Sequence, residues 1–430
     1  MTRSLAEEPL SEEPLAKEQS LRDAPWNFSV NTADIIFITL GLSLISRETV
    51  LPILISHLTD SKIAIGLLPA IWSLGYYLPQ LLTANFTEGL RFKKPFVMLV
   101  GGLGERIPYL LIGLAVWFLA ESSPFTVLVL LLAGVGMAGA SAGIATPAWF
   151  DMIAKVIPLE RRGLWSGLGH GLGALLGVGG AYAVGRILDA YAYPQNFATL
   201  LFLAFVFVMI SWIGLSLTRE PPSTTTKERI PLIRYLGQLP AVLRRDANYR
   251  RYLISRTVVN LGAMATGFFI VYGRERFGLD GAGVGLLTGV LIGSVAVLNL
   301  VWGVTGDRLG HKIVLTGAAL AMVGAPLAAL FAPSGGWLVL TFILLGAGMA
   351  GEQASSLNII LEFCAPEDRP TYIGLTNTLL APVLIVAPIL GGWLATVFGF
   401  PALFAVAAVV AAAGALLLAL WVREPRRLVG

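Results

Sequence analysis

The stretch Gly303-Val-Thr-Gly-Asp-Arg-Leu-Gly-His-Lys312 is a run of charged and glycine residues between two long apolar segments. Gly306 and Gly310 suit a tight turn, because a residue without a Cβ adopts backbone conformations that other residues avoid. A carboxylate such as Asp307, placed beside a helix end, can pair with a basic residue or with the N-terminus of a neighbouring helix. The stretch therefore predicts a short polar turn that joins two apolar helices.

The rest of the chain has the composition of a membrane protein. Of its 430 residues, 56% are hydrophobic and 13% are charged, whereas a soluble domain carries about a quarter charged residues. The single cysteine, Cys364, excludes an intrachain disulfide and a thiol-rich metal site. The net charge of +4 is too small to indicate a nucleic-acid partner. We therefore expect a lipid bilayer as the surroundings, and no metal, cofactor or nucleic acid.

Apolar stretches alternate with short polar breaks along the chain, and twelve of them are about long enough to cross a bilayer. In lipid each must satisfy its own backbone hydrogen bonds, so each is predicted to be a helix. The predicted spans are 33–56, 63–87, 95–119, 124–154, 163–188, 197–217, 251–272, 282–305, 312–332, 336–362, 371–396 and 400–422. The sequence thus predicts an all-α membrane protein with twelve transmembrane helices.

Two polar segments divide the chain. Residues 1–30 begin with an acidic stretch that lacks the apolar core of a secretory signal, and they are predicted to form a disordered cytoplasmic tail. Residues 219–249 are predicted to be a cytoplasmic linker between a first six-helix bundle, 31–218, and a second one, 250–424.

The distribution of basic residues predicts the orientation. With a cytoplasmic N-terminus, 23 of the 30 Lys and Arg residues fall on inner segments and four on outer segments. Inner loops of membrane proteins carry this excess. Both termini are therefore expected in the cytoplasm.

The two halves share features in the same order. The charged turn at 88–93 parallels 307–312, Pro158–Gly163 parallels Pro366–Pro370, and the pair Gly179-Gly180 parallels Gly391-Gly392. Three ordered matches predict two pseudo-symmetric bundles, related by an axis along the membrane normal.

Over residues 33–424 the chain resembles the major facilitator superfamily. The 303–312 stretch resembles the family's loop motif between helices 8 and 9, Gly-x-x-x-Asp-Arg-x-Gly-Arg-Lys, with His311 in place of the usual arginine. The first-half copy, 85–94, is degraded. The resemblance implies that family's fold and a monomeric, multi-pass permease of bacterial type in the cytoplasmic (inner) membrane, not an enzyme. Such a permease moves a small organic solute by alternating access.

The resemblance also implies a cytoplasmic gate, because in this family the loop motif clamps the inner side of the outward-open state. Glu362 and Arg369 have the spacing of the family's Glu–Arg network near helix 10. The expected gate residues are Glu88, Asp151, Asp307, Arg308, Gly310, Lys312, Glu362 and Arg369. The alternative is a set of independent interfacial charges, with Asp151 pairing only with Lys155 one turn away.

Ionisable and strongly polar side chains within the predicted spans are candidates for substrate binding or proton coupling. A charge at the centre of a span costs about 2.5–3.5 kcal/mol, so each charged one is a functional candidate. The candidates are Arg47, Glu48, Arg256, Asn260, Glu352, His170 and Asn377. Glu48 and Glu352 are the preferred proton carriers, since a carboxylate in a low-dielectric cavity can load and release a proton. The alternatives are a structural Arg47–Glu48 or Arg106–Glu105 pair and a packing role for His170.

Two identical tetrapeptides, Leu44–Arg47 and Leu253–Arg256, occupy equivalent predicted helices. A pair of cavity arginines would suit an organic anion, because a guanidinium binds a carboxylate through two hydrogen bonds. This gives the alternative function of an organic-anion exchanger. The flanks of Arg256, however, predict a position near the inner interface, where its side chain could reach the headgroups.

The direction of transport has weaker signals. Residues 387–392 resemble the family's antiporter motif, but in helix 11 rather than helix 5, and the fourth span lacks the arginine of proton-driven exporters. On the resemblance we expect a proton-coupled transporter, and export is favoured over uptake. A membrane scaffold that has lost transport is the remaining alternative.

Overall fold

Helices make up nearly all of the described chain, as backbone in lipid requires. The computed structural model describes residues 12–223, 243–364 and 369–427, with side chains outside the description at 12–21, 80–88, 369–371 and 427. The helices are α1 (Glu12–Leu44), α2 (Val50–Leu58), α3 (Lys62–Glu88), α4 (Lys94–Leu119), α5 (Pro124–Val156), α6 (Leu159–Ala190), α7 (Gln195–Ser216), α8 (Ala247–Phe277), α9 (Gly281–Leu309), α10 (His311–Leu330), α11 (Gly335–Phe363) and α12 (Arg369–Leu420).

Ten helical segments of the described residues are long and apolar enough to cross a bilayer. The prediction of an all-α membrane protein is therefore confirmed over this part of the chain. α12 runs through both of the last two predicted spans, and Gly399 interrupts it with a φ of 79°. Such a φ falls in the left-handed region that glycine tolerates.

The N-terminal segment is more ordered than the sequence analysis predicted. α1 begins at Glu12 and not after residue 30. Asn27 and Asn31 are fully buried, and their side-chain amides donate to Arg219 O and Thr218 Oγ1 at 3.0 Å each. Residues 22–30 thus extend the first helix by packing against the end of α7. Their polarity reflects these hydrogen bonds and not disorder.

The first predicted span, 33–56, is not one continuous helix. It breaks over residues 45–49, between α1 and α2, so a helical prediction at Arg47 and Glu48 is wrong. The carbonyl of Ser46 accepts from both Val50 N and Leu51 N at 3.0 Å, which starts α2. Backbone that leaves the helical path in a membrane protein occurs where it is buried in protein or lines a cavity.

The helices alternate between two ends of the molecule. The end that carries both termini, here called the terminal end, includes the contact of Arg219 with Asp23 and that of Arg423 with Asn248. The opposite, distal end includes the short connections at 59–61, 191–194 and 278–280.

The two halves of the chain meet closely at the distal end. A Cβ added to Gly66 of α3 would lie 2.1 Å from the carbonyl oxygen of Pro388, and one on Gly285 of α9 would lie 2.6 Å from Ala181 O of α6. Toward the terminal end, Gly167 and Gly171 of α6 and Gly303 of α9 would meet nothing within 4 Å. The halves are therefore packed together at one end and separated at the other.

Within the N-terminal half, glycines allow helices to approach closely, as is common in membrane bundles. We predict that Gly143→Ala destabilises the protein by about 1–3 kcal/mol, the usual cost of overpacking. The new methyl group would lie 2.2 Å from the backbone oxygen of Tyr76, which cannot rotate away. The measurement is thermal unfolding in detergent. Gly171→Ala is the matched control, and equal loss in both variants would contradict the assignment.

Candidate functional site

A cavity lies where the two halves of the chain face each other. Its volume is about 260 Å³. The polar lining residues are Arg47, Glu48, Ser73, Asn260 and Thr266, and the apolar ones include Pro69, Trp72, Met264, Phe268, Leu384 and Pro388. Asn260 lies near the middle of α8, so the cavity lies well inside the membrane-spanning part of the molecule.

Arg47 enters this cavity from the break between α1 and α2. Its guanidinium carbon lies 3.9 Å from the centroid of the Trp72 ring, a cation–π contact. No carboxylate of the described residues pairs with Arg47, and none of their acceptors is within hydrogen-bond distance of its guanidinium. The predicted Arg47–Glu48 ion pair is therefore absent from this part of the chain.

Glu48 is the second charged group of the cavity. Its Oε2 accepts from Ser46 Oγ at 3.1 Å, and its backbone N–H donates to the same hydroxyl at 3.2 Å. These bonds fix the carboxylate to its own helix break and leave it without a cationic partner among the described residues. Two opposite charges thus line one cavity without touching each other.

The second arginine of the repeated tetrapeptides has a different environment. Arg256 is 3% exposed, and both of its terminal nitrogens bind the two carboxylate oxygens of Glu352. The prediction that Arg256 reaches the interface is wrong, because Glu352 of α11 neutralises it inside the bundle. Tyr77 of α3 is within electrostatic range of Arg47, Arg256 and Glu352.

The remaining candidates of the predicted site are separated. Asn260 lines the cavity beside Arg47. His170 is exposed on α6, between Gly167 and Gly171. Asn377 is half-buried on α12 and is not among the cavity-lining residues.

The charged turn at 307–312 lies close to Glu362, as expected for one network. Arg426, which the sequence analysis did not consider, joins them. Glu362 binds Arg426, whose guanidinium also donates to Asp307 O at 3.0 Å. His311 Nε2 lies 3.8 Å from Glu362. All of these contacts are inside the C-terminal half.

The turn has the predicted geometry at Gly310 but not at Gly306, which is buried within helical α9. Gly310 has a φ of 102°, and a Cβ there would lie 2.8 Å from the Glu424 carboxylate. Lys312 donates to Ala419 O at 2.8 Å, while Asp307 and Arg308 are exposed. The side chains of Glu88 and Arg369 lie outside the described residues.

Asp151 pairs with Lys155, as the alternative interpretation predicted, but not with Lys155 alone. Its carboxylate lies 3.5 Å from Lys155 Nζ one turn away, and also 3.5 Å from Lys93 Nζ. Lys155 binds Glu220 as well, at 3.0 Å. This cluster ties the terminal ends of α4, α5 and α7 together within the N-terminal half.

A buried polar cluster around Arg106 lies inside the N-terminal half. It includes Asp34, which the sequence analysis did not consider. Arg106 of α4 donates to Val208 O at 2.8 Å and to Ser211 Oγ at 3.1 Å, and its guanidinium lies 3.8 Å from Asp34. Arg106 also donates to Gly101 O at 3.1 Å, within a π-helical turn of α4. The alternative Arg106–Glu105 pair is also formed, with a nitrogen–oxygen distance of 3.6 Å. These contacts give Arg106 a structural role. An aspartate near the start of an apolar span was the signal that could have indicated Asp34.

Several polar contacts join the halves toward the distal end. The hydroxyls of Thr49 and Thr288 lie 2.8 Å apart in the buried seam. Lys62 of α3 lies 3.2 Å from Glu275 of α8 and 3.8 Å from the ring centroid of Phe400. Asp189 of α6 accepts from Gly281 N and Ala282 N at 2.7 and 2.9 Å, at the start of α9. A carboxylate at a helix N-terminus is stabilised by the unpaired amides there.

Comparison with protein families and known sequences agrees with this architecture. The family model described as Major Facilitator Superfamily matches residues 252–429. An uncharacterized protein of Mycobacterium tuberculosis is 24% identical over 373 residues, 83% of this chain and 68% of that protein. The 4-hydroxybenzoate transporter PcaK of Acinetobacter baylyi is 25% identical over 34% of this chain and 32% of its own length. The multi-drug resistance efflux pump PmrA of Streptococcus pneumoniae is 26% identical over 30% and 33%.

Solved structures of transporters share the fold. A mutant of the nucleoside transporter NupG superimposes with a TM-score of 0.73 at 12% identity, over 91% of this chain and 99% of that chain. A bacterial homolog of the human lysosomal transporter Spinster, in an inward-facing and unoccupied conformation, gives a TM-score of 0.64 at 14% identity over 96% of both chains.

The Arg256–Glu352 pair allows a test by a double-mutant cycle. We predict that Glu352→Met destabilises the protein by up to about 3–5 kcal/mol, because it leaves the buried charge of Arg256 without its partner. Arg256→Met should cost less, because the Glu352 side chain is 31% exposed and its charge can be hydrated. The double variant should be more stable than either single one, since it buries no lone charge. Thermal unfolding of the four proteins in one detergent measures this, and additive losses would refute the pairing.

Proposed function

We propose that this chain, which belongs to the major facilitator superfamily, is a secondary active transporter of a small organic solute that works by alternating access. The observation that carries the proposal is the cavity at Arg47 and Glu48. It lies between two halves that pack closely at the distal end and are separated at the terminal end. A solute site between bundles, at a helix interruption, is the arrangement in which rocking of the halves exposes the site to either side.

The same proposal includes twelve spans in two six-helix bundles, although ten candidate segments are found by length and hydropathy. The kink at Gly399 divides the 49-residue segment Tyr372–Leu420 into two rods, each long enough to cross a bilayer. Counting these two rods separately gives eleven spans, and α3, which has 27 residues, is the twelfth. The boundaries of the bundles would then follow the predicted divisions at 31–218 and 250–424.

With both termini in the cytoplasm of a bacterial-type inner membrane, the conformation described here would be inward-facing. The excess of Lys and Arg at the terminal end supports this orientation. The distal contacts of Lys62 with Glu275, and of Asp189 with the start of α9, would then close the outer side. The turn at 307–312 with Glu362 would be the inner gate in its open state.

We further propose that the transporter is proton-coupled through Glu48 and Glu352. Glu48 faces the cavity without a cation, so it can take a proton there. Protonation of Glu352 would remove the charge that holds Arg256 and would release this guanidinium toward the cavity. Export is the proposed direction, supported by the likeness to a protein described as an efflux pump. The pairing of Arg256 disfavours the alternative of a two-arginine exchanger.

Proton coupling predicts a specific loss in proteoliposomes with an imposed pH gradient. Glu48→Gln and Glu352→Gln should each lower gradient-driven flux at least about tenfold, because neither amide can carry a proton at neutral pH. The solute is one first identified by a susceptibility screen in an efflux-deficient host. Glu160→Gln, an exposed carboxylate at the start of α6, is the control. Gradient-driven flux that is unchanged in both variants would exclude these carriers.

Alternating access predicts that the distal end must open during the cycle. In a Cys364→Ser background, Lys62→Cys with Glu275→Cys, joined by a short reducible bifunctional thiol reagent, should stop flux, and reduction should restore it. Glu160→Cys with Leu164→Cys, exposed one turn apart on α6 and joined by the same reagent, should leave flux unchanged. If the distal cross-link has no effect on flux, the distal end is not a gate. If no solute moves under any condition, the scaffold interpretation gains.

A further inference from the structure

We propose that the cavity binds an organic monocarboxylate with an apolar body, and that the Arg47 guanidinium holds the carboxylate. This inference names the substrate class of the proposed transporter and so rests on the proposed function. It is carried by three features of the site: the free donors of Arg47, the carboxylate of Glu48 and the apolar lining.

Arg47 presents donors that have no acceptor. Trp72 covers one face of the guanidinium at 3.9 Å, and a π face stabilises the cation without using its N–H groups. Those groups lie in the plane of the guanidinium and, among the described residues, meet no hydrogen-bond acceptor. A planar fork of donors matches the two oxygens of a carboxylate. Trp72 therefore orients the guanidinium, and a ligand carboxylate would accept the hydrogen bonds of its N–H groups.

The other arginine of the repeated tetrapeptides cannot play this part in the conformation described here. Both terminal nitrogens of Arg256 are occupied by Glu352. One cavity cation is thus available for an anion and not two, although the local sequences around Arg47 and Arg256 are identical.

Glu48 limits the charge of the ligand. Ser46 fixes its carboxylate on the same five-residue break that carries Arg47. A second negative charge on the ligand would therefore face a carboxylate across a small cavity, where like charges repel more strongly than in water. A dianion should bind worse than a monoanion of the same shape.

The rest of the lining is apolar and aromatic. Met264, Phe268, Leu384 and Pro388 line the same cavity as the charged break. Apolar walls with a few convergent polar groups are typical of sites for small amphipathic molecules. A hydrophilic acid would leave these walls without a partner, so the carboxylate should be attached to a hydrocarbon or aromatic body.

Four probes with one ring system separate charge from shape: 2-naphthoate, 2-naphthamide, 2-naphthylmethylamine and 2,6-naphthalenedicarboxylate. Binding to the purified full-length protein is measured by thermal stabilisation and calorimetric titration, without any flux. We expect 2-naphthoate to bind best, and Arg47→Met to weaken it about 10- to 100-fold, as for loss of charged hydrogen bonds. Arg47→Lys should retain part of the affinity, since it keeps the charge but not the fork.

Two further variants complete the test. Glu48→Gln should reduce the difference in binding affinity between 2,6-naphthalenedicarboxylate and 2-naphthoate, because it removes the carboxylate that repels the second charge. Arg276→Met, which removes an exposed arginine at the distal end, should bind all four probes like the wild type.

Three results would overturn the inference: equal or tighter binding of the amine, wild-type affinity of Arg47→Met for 2-naphthoate, or no binding of any probe to the wild type. Each can occur while proton-driven flux of another solute is observed. Carboxylate binding without any flux would instead contradict the transport proposal alone.

Discussion

The backbone of a chain in lipid has no water to bind, and this constraint governs the whole molecule. It makes each apolar stretch a helix and allows an interruption only where protein or a cavity surrounds it. The break at 45–49 is such an interruption, and its two charged residues enter the cavity between the halves. The site therefore exists because the first helix stops where the two halves face each other. The same break determines which way Arg47 and Glu48 point.

The repeated tetrapeptide shows how tertiary structure assigns different tasks to the same local sequence. Leu44–Arg47 ends in a helix break, and its arginine stacks on an indole ring. Leu253–Arg256 lies within a regular helix, and its arginine is neutralised by a carboxylate from α11. Arg47 thus lines the cavity without an ion-pair partner among the described residues, while Arg256 is held by Glu352. The same tetrapeptide therefore differs between the halves through the side chains around it.

Hydropathy was enough to predict the helices, because a membrane span must be apolar along its full length. The same signal could not show where the first helix starts, since the polar residues Asn27 and Asn31 are buried through hydrogen bonds to residues 218–219. Nor could it indicate the break at 45–49. The local signal there is Pro52 in the first turn of α2, because proline has no N–H to donate to the carbonyl of Glu48 in a continuous helix. Among the site residues, the charges of Arg47, Glu48 and Glu352 were found because a charge in an apolar span is conspicuous. The partners of Arg256 and Glu362 depend on contacts between helices far apart in sequence.

The two ends of the molecule differ in what holds the halves together, and this difference has a mechanical consequence. At the distal end, glycines bring backbones into direct contact, and Lys62 and Asp189 add polar contacts across the same seam. At the terminal end, the described charged clusters around Asp151 and Glu362 each stay within one half. Contacts within each half therefore stabilise the terminal end, where the halves are apart, and contacts between the halves stabilise the distal end.

This difference bears on how the halves can move. Because the described charged clusters at the terminal end do not join the two halves, bringing the halves together there would break no contact within either half. Opening the distal end must separate the backbones that meet at Gly66 and Gly285 and break the buried contact of Thr49 with Thr288. The exposed Lys62–Glu275 pair adds little to this cost, since surface ion pairs contribute about 0–1 kcal/mol each. Because each half is held together by its own contacts and the halves meet at one end, the arrangement favours motion of whole halves over deformation of single helices.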